Sequence, residues 1–236
     1  MTNRIILELP DKREVLKDNL SFIQIIGENN TVRLKVDKEE NFEEQRGLLI
    51  AVFGNNNKIE IGKVFYPYNA TIGLTGLTIN IGNSPEDTID PGVTRYASNC
   101  SIKIGDNIIF CGARLFLQDD NTSISIGDDC MFSWGIDVWC TDVHTVTDLE
   151  GNPLNFGKSI EIGKHVWVGK DVKIGKNTKI SDDSIIGWGS IVTKKFDETN
   201  VVIAGNPAKI VKRGINWNFR DLQNYQIYRK SIQTST

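Results

Sequence analysis

Histidine is scarce in this chain of 236 residues: there are two, His144 and His165. A zinc site of three imidazoles cannot be assembled from two, and no cysteine cluster stands in for the third. The four cysteines, Cys100, Cys111, Cys130 and Cys140, have no C-x-x-C spacing. They read as reduced thiols, neither disulfides nor ligands, so no metal is expected. Basic residues are not in excess. Lys plus Arg is 27 against 30 Asp plus Glu, a net charge of −3, and no overall field draws nucleic acid. No apolar run approaches membrane-spanning length, and Met1-Thr2-Asn3-Arg4-Ile5-Ile6 lacks a long apolar export region. The expectation is a cytoplasmic protein with no membrane insertion and no nucleic-acid partner.

What the chain does have is a period of six. Ile162, Val168, Ile174, Ile180, Ile186 and Val192 are each followed by a small residue: Gly163, Gly169, Gly175, Ser181, Gly187, Thr193. Two places before each stands another apolar or small residue, from Ile160 to Ser190. Six fits neither a helix nor a two-sided strand alone. It fits short strands ending in tight bends, three to a turn, with the aliphatic side chain inward: a triangular parallel β-helix.

An Ile-x-Ile-Gly start recurs at Ile59, Ile79, Ile102, Ile124 and Ile160. The excess over 18 residues per turn is expected to leave as loops, chiefly residues 83–99. The 36-residue interval before Ile160 fits two turns, yet residues 145–159 are too polar for a coil and are predicted to protrude. Residues 1–58 are predicted as irregular β coils continuous with the solenoid, with Gly-x-Asn-Asn turns at Gly27 and Gly54 and a surface excursion at 37–46, where a short helix is possible. Residues 59–215 form the regular solenoid. Residues 216–236 form a tail, with a C-terminal helix predicted within 215–232 to cover the open end. The stretch from Val201 to Lys209 reads as strand, turn and exit.

The repeat resembles that of the hexapeptide-repeat acyltransferases, which fold as left-handed parallel β-helices. The resemblance implies that hand; ordinary crossover chirality gives the opposite one. The carbonic anhydrases of this fold use three histidines, which this chain lacks.

His144 stands in Trp139-Cys140-Thr141-Asp142-Val143-His144. Transfer of an acyl group from a thioester to a hydroxyl needs a base near pKa 7, which imidazole supplies. Asp142 and Asp148 are the nearby carboxylates that could orient it. The same residue could be structural, since counting 18 from Ile126 puts it on the apolar corner row. Cys140 reads as a small apolar residue and not as a nucleophile. His165 alternates with Val166 and points outward, as a structural or interfacial residue.

Asp142-x-His144, Asp148, Gly151-Asn152 and Asn155 are similar to the capsular and lipopolysaccharide O-acetyltransferase branch. So are Gly163-x-His165-Val166-Trp167-Val168-Gly169 and Ala204-Gly205-Asn206-Pro207-Ala208-Lys209. That resemblance implies His144 as general base and acetyl-CoA as donor. It implies direct transfer to a sugar or polysaccharide acceptor, in a homotrimer whose sites lie between subunits. It places Trp167, Gly169, Lys170, Gly187, Trp188, Thr193 and Lys194 along the donor groove. Trp188 replaces a common alanine there, and either narrows the groove or stacks on donor or acceptor. Lys194, Lys195, Lys209, Lys212 and Arg213 could meet the donor's phosphates or be an ordinary solvated surface. Trp139 and Trp167 are candidate sugar-stacking surfaces, with Trp134 beside them; packing between coils is the other reading of Trp134 and Trp139. An amino-sugar acceptor, a xenobiotic acceptor and a non-catalytic scaffold stay open.

Overall fold

The structure, a computed structural model, describes residues 2–38, 47–65, 76–83 and 95–233. Among the described residues, twenty-three strands build three sheets of nine, seven and seven strands. The chain visits them in rotation, so each sheet is one face of a triangular prism and grows by one parallel strand per turn. In the regular part the turn is 18 residues: Ile162 pairs with Ile180, Val168 with Ile186, Ile174 with Val192. All six are at most 2% exposed. The six-residue period thus lays one aliphatic column inside each face. Burying each such side chain contributes about 1.5–3 kcal/mol.

The columns continue in both directions. On the first face Leu34, Ile61, Ile104, Ile126, Ile162, Ile180 and Phe196 stack in register. On the second, Phe110 and Phe132 lie with ring centroids 4.8 Å apart, followed by Val168, Ile186 and Ile203. Among the described residues, the coils before Val64 add strands only to the first and third faces, because their turns are irregular.

Asparagine builds the corner before the first face. Asn29, Asn56, Asn99 and Asn121 all have φ near +60° (58°, 58°, 57° and 60°), a conformation their short polar side chains tolerate. Their amides form a ladder, Asn29 to Asn56 at 2.8 Å, then Asn56 to Asn99 and Asn99 to Asn121 at 3.3 Å. The neighbouring Asn30 and Asn57 are buried but satisfied, each donating its Nδ2 to a carbonyl at 2.9 Å. Gly54, at φ +140°, is required here: a Cβ would lie 2.0 Å from the carbonyl oxygen of Ala97.

Several expectations are corrected. Ile79 is not in the row of Ile59, Ile102, Ile124 and Ile160; it lies on the third face, paired with Ile50 and Leu115. Ile59 pairs directly with Ile102, so those 43 residues make one turn. The protruding loop, by contrast, is as expected: Ile124 pairs with Ile160, so the 36-residue interval is one coil from which residues 145–159 loop out. Val201–Gly205 and Ala208–Arg213 form an antiparallel hairpin on the second face instead of an exit. The helix, Leu222–Gln233, buries none of its residues, so it is not the packed cap expected. Trp217 packs instead, stacking on His165 at 4.4 Å and donating its Nε1 to the His165 carbonyl at 2.8 Å. Residues 39–46 and 84–94, where an excursion and a loop are expected, lie outside the described residues. Among the described residues no helix is long and apolar enough to cross a membrane.

Candidate active site

The protruding loop leaves the solenoid after the strand Ile136–Trp139 on the third face and rejoins it at Ile160–Ile162 on the first. His144 therefore sits at the corner between these faces, exposed and off the apolar column. The turn that presents it is tight. The His144 N–H donates to the Asp142 carbonyl at 2.7 Å, closing a γ-turn with Val143 at φ +67°. A β-branched residue there is strained, at a cost of order 1–3 kcal/mol.

Polar contacts hold the turn. Asp142 Oδ2 accepts hydrogen bonds from Lys176 Nζ and from Asn155 Nδ2, the latter at 2.9 Å. Asn155 Nδ2 also donates to the His144 carbonyl at 2.8 Å, and its Oδ1 accepts from the Val146 N–H at 2.7 Å. The Lys176 ammonium, with Asn155 adding to it, holds the Asp142 carboxyl below the usual carboxylate range against its desolvation. The depressed value fixes the sign. The pair stabilises the fold above the ordinary carboxylate pKa, and that contribution is lost as pH falls through the lowered folded value.

Neither carboxylate named from the sequence engages the imidazole: among the described residues no side chain hydrogen-bonds the His144 ring. Asp142 is committed to Lys176 and Asn155. Asp148 closes its own turn, accepting from Asn152 N–H at 2.8 Å, Asn152 Nδ2 at 2.9 Å and Glu150 N–H at 3.0 Å. Asn152, through its side chain first, lowers the Asp148 pKa.

The residues expected along a donor groove fall at two corners. Gly169, Lys170, Gly187 and Trp188 meet where the second face passes to the third. Trp188 is 75% exposed and lies over Gly169, where a Cβ would come within 2.6 Å of its Cδ1 and 2.7 Å of the Ile186 carbonyl oxygen. Lys209 joins this corner through Ala204, its strand partner, whose Cβ would be 3.0 Å from one built on Gly187. Lys212 is farther along the hairpin, opposite Val202. Thr193 and Lys194 occupy the His144 corner instead, with Lys194 Nζ 5.2 Å from the Phe196 ring centre. Between the two corners the third face carries Arg114, Asp137 and Lys173 in an ion-pair ladder, 2.7 and 2.6 Å.

Trp167 is not an open wall within this chain. It lies 6.0 Å from Trp217 under the returning tail, and Trp139 packs edge-on against Phe116 at 5.0 Å. Both indole N–H groups are buried without an acceptor among the described residues. His165 is structural: at φ +51° it takes the corner position that Asn107 and Asp129 fill in earlier coils, and Nδ1 lies 2.9 Å from Asp183 Oδ1.

Cys130 and Cys140 are fully buried, and burial pushes both thiols up to about 12. Neither can supply a thiolate near neutral pH. In the native protein at most Cys111, half-buried, is expected to react with a thiol reagent, against four after denaturation. Rapid native labelling of Cys140 would contradict the packing described.

The triangular prism, the 18-residue coil and the His144 corner define a hexapeptide-repeat β-helix. No family model matches the chain. A polysialic acid O-acetyltransferase of Neisseria meningitidis is 35% identical over 136 residues, 57% of this chain. The match spans about 60% of that relative's length. The crystal structure of the polySia specific acetyltransferase NeuO superposes with a TM-score of 0.62 at 25% identity, covering 97% of this chain and 87% of that one. The polysialic acid O-acetyltransferase OatWY superposes at 0.51 and 23% identity, over 97% and 98%, and supports the fold. The chain is similar in sequence to these acetyltransferases and shares their fold, a left-handed parallel β-helix.

Proposed function

We propose that this chain is an acetyl-CoA-dependent O-acetyltransferase acting on a sugar hydroxyl of a bacterial surface polysaccharide or its precursor. The observation that carries the reading is His144: a solvent-facing imidazole on a strained, braced turn, in a chain similar to polysialic acid O-acetyltransferases. A ring nitrogen of His144 takes the hydroxyl proton as the oxygen bonds to the thioester carbonyl carbon. The C–S bond breaks, and the imidazolium returns the proton to the departing thiolate. Backbone N–H groups at the corner stabilise the oxyanion. No acyl-enzyme is needed, consistent with the raised cysteine thiols.

The residues fit the donor. The corner bearing Lys170, Lys209 and the exposed Trp188 offers charge for phosphates and an indole face for an adenine or pantetheine arm. That corner and the His144 corner are separated by a whole face of the prism, so one chain does not close a groove around both. Juxtaposing the His144 corner of one copy with the Trp188 corner of the next would do so. This supports a homotrimer with sites between subunits, expected as a light-scattering mass of three copies of the 26.4 kDa chain.

Transfer of labelled acetyl from acetyl-CoA to a panel of polysaccharides, polysialic acid among them, tests the reading. Alkali-labile label on the polymer is the expected ester. Alkali-stable label would mean an amide and an amino-sugar acceptor, and label on no acceptor would contradict the assignment.

A further inference from the structure

We propose that Lys176 is a positioning residue for this reaction, an ammonium clasp that joins the two legs of the loop carrying His144. The inference rests on the function proposed above, and extends it to a residue that never meets the reacting atoms.

Lys176 comes from a different coil, the corner between Lys173–Ile174 and Lys179–Ile180. Its side chain is mostly covered, 20% exposed. Nζ donates to Asp142 Oδ2, on the outgoing leg two residues before His144, and to the Asn155 carbonyl at 2.6 Å, on the returning leg. The two residues it joins are 13 apart in sequence. Asn155 completes the clasp from its own side by donating to both Asp142 Oδ2 and the His144 carbonyl. The ring of contacts thus closes through Lys176, Asp142, the γ-turn and Asn155.

Three features show why a clasp is needed. The turn at Val143 is in a conformation the isolated chain avoids, so it persists only where its surroundings over-determine it. The loop beyond has no core of its own: Val146, Leu149, Leu154 and Phe156 are all exposed. Its internal order is the bridge Thr147 to Pro153, the turn around Asp148 and the bond from the Val146 N–H to Asn155 Oδ1. Finally, two of the three Lys176 N–H bonds are spent on loop acceptors, so the ammonium is committed to the loop. Without it the Asp142 carboxylate would keep one amide donor, and the outgoing leg would lose the tie that Asp142 makes to the neighbouring coil.

The test compares the wild-type chain with Lys176→Met, which keeps the stem, and Lys176→Arg, which keeps the charge. Readouts are steady-state thiol release with polysialic acid and amide hydrogen exchange across residues 142–156 and 160–193. Lys176→Met is expected to lower kcat about 10–100-fold, with the KM for acetyl-CoA within about twofold, as loss of positioning does. Exchange should quicken over 142–156 and stay unchanged over 160–193, and Lys176→Arg should recover part of kcat. A kcat within about twofold of wild type overturns the proposal, as does unaltered exchange in the loop. A raised KM for acetyl-CoA at unchanged kcat would make Lys176 a donor-binding residue and also overturn it. A wild type without acceptor-dependent release would defeat the functional reading instead, and the exchange comparison would then decide the clasp alone.

Discussion

His144→Ala is expected to lower acceptor-dependent thiol release by a factor of about 10² to 10⁴, the usual contribution of a general base. Its effect on stability should be small, within about 0.5 kcal/mol, because the imidazole is exposed and no side chain among the described residues bonds to it. The separation of the two effects is the informative part. The His144 carbonyl and N–H, not the ring, hold the turn, through Asn155 at 2.8 Å and Asp142 at 2.7 Å. Alanine keeps both backbone bonds, so the loop geometry should survive while the proton acceptor disappears. Steady-state rates beside a thermal melt make the comparison. Equal rates in the two proteins would remove His144 from the chemistry, and a large drop in melting temperature would mean that the turn depends on the ring.

Phe132→Ala is expected to destabilise the fold by about 3–5 kcal/mol, the range for truncating a fully buried aromatic. Phe132 is 0% exposed, 4.8 Å from the Phe110 ring, and paired in register with both Phe110 and Val168. In a solenoid each coil is stabilised largely by its neighbours, so a cavity at this point weakens the seam between the irregular early coils and the regular later ones. Urea unfolding at fixed protein concentration, which holds any assembly term constant, measures the loss. Leu16→Ala, at a side chain 69% exposed, serves as the control and should change little. A loss below about 1 kcal/mol at Phe132 would contradict the close packing of the second-face column.

The later coils were legible because their period is uninterrupted: six aliphatic residues six apart become three stacked pairs, and nothing competes. Counting failed where the chain leaves the solenoid. Ile79 has the same Ile-x-Ile-Gly pattern as Ile59 and Ile102, but the pattern says only that a strand ends there, not which face it belongs to. The interval from Ile124 to Ile160 equals two turns by coincidence, and the polarity of residues 145–159 was the better guide. Counting 18 from Ile126 offers the apolar column as the alternative place for His144, and the loop carries it into solvent instead.

His144 stands out in the sequence as one of two histidines, but the hydrogen-bond partners of its turn do not. Asp142 and Asp148 are close to it in sequence, and proximity suggested them as orienting carboxylates. Their hydrogen bonds go to Lys176, Asn155 and Asn152 instead. Lys176 is 34 residues from the carboxylate it contacts, and no local pattern announces the pair. The 18-residue coil does carry the signal once the loop is recognised, because it sets Lys176 one turn along from the loop's returning leg. The tail departs from its sequence pattern for a similar reason. Residues 215–232 have aromatic and aliphatic residues enough for a packed helix, but Trp217, before the helix begins, makes the contact with the solenoid.

The most direct measurement is thiol release from acetyl-CoA by the wild-type protein, with and without polysialic acid. Release that rises with acceptor concentration is the expected result, and identifies a transferase whose hydroxyl substrate is on that polymer. Equal rates with and without acceptor, across the polysaccharide panel, would contradict acetyl transfer to a sugar hydroxyl as the function of this β-helix.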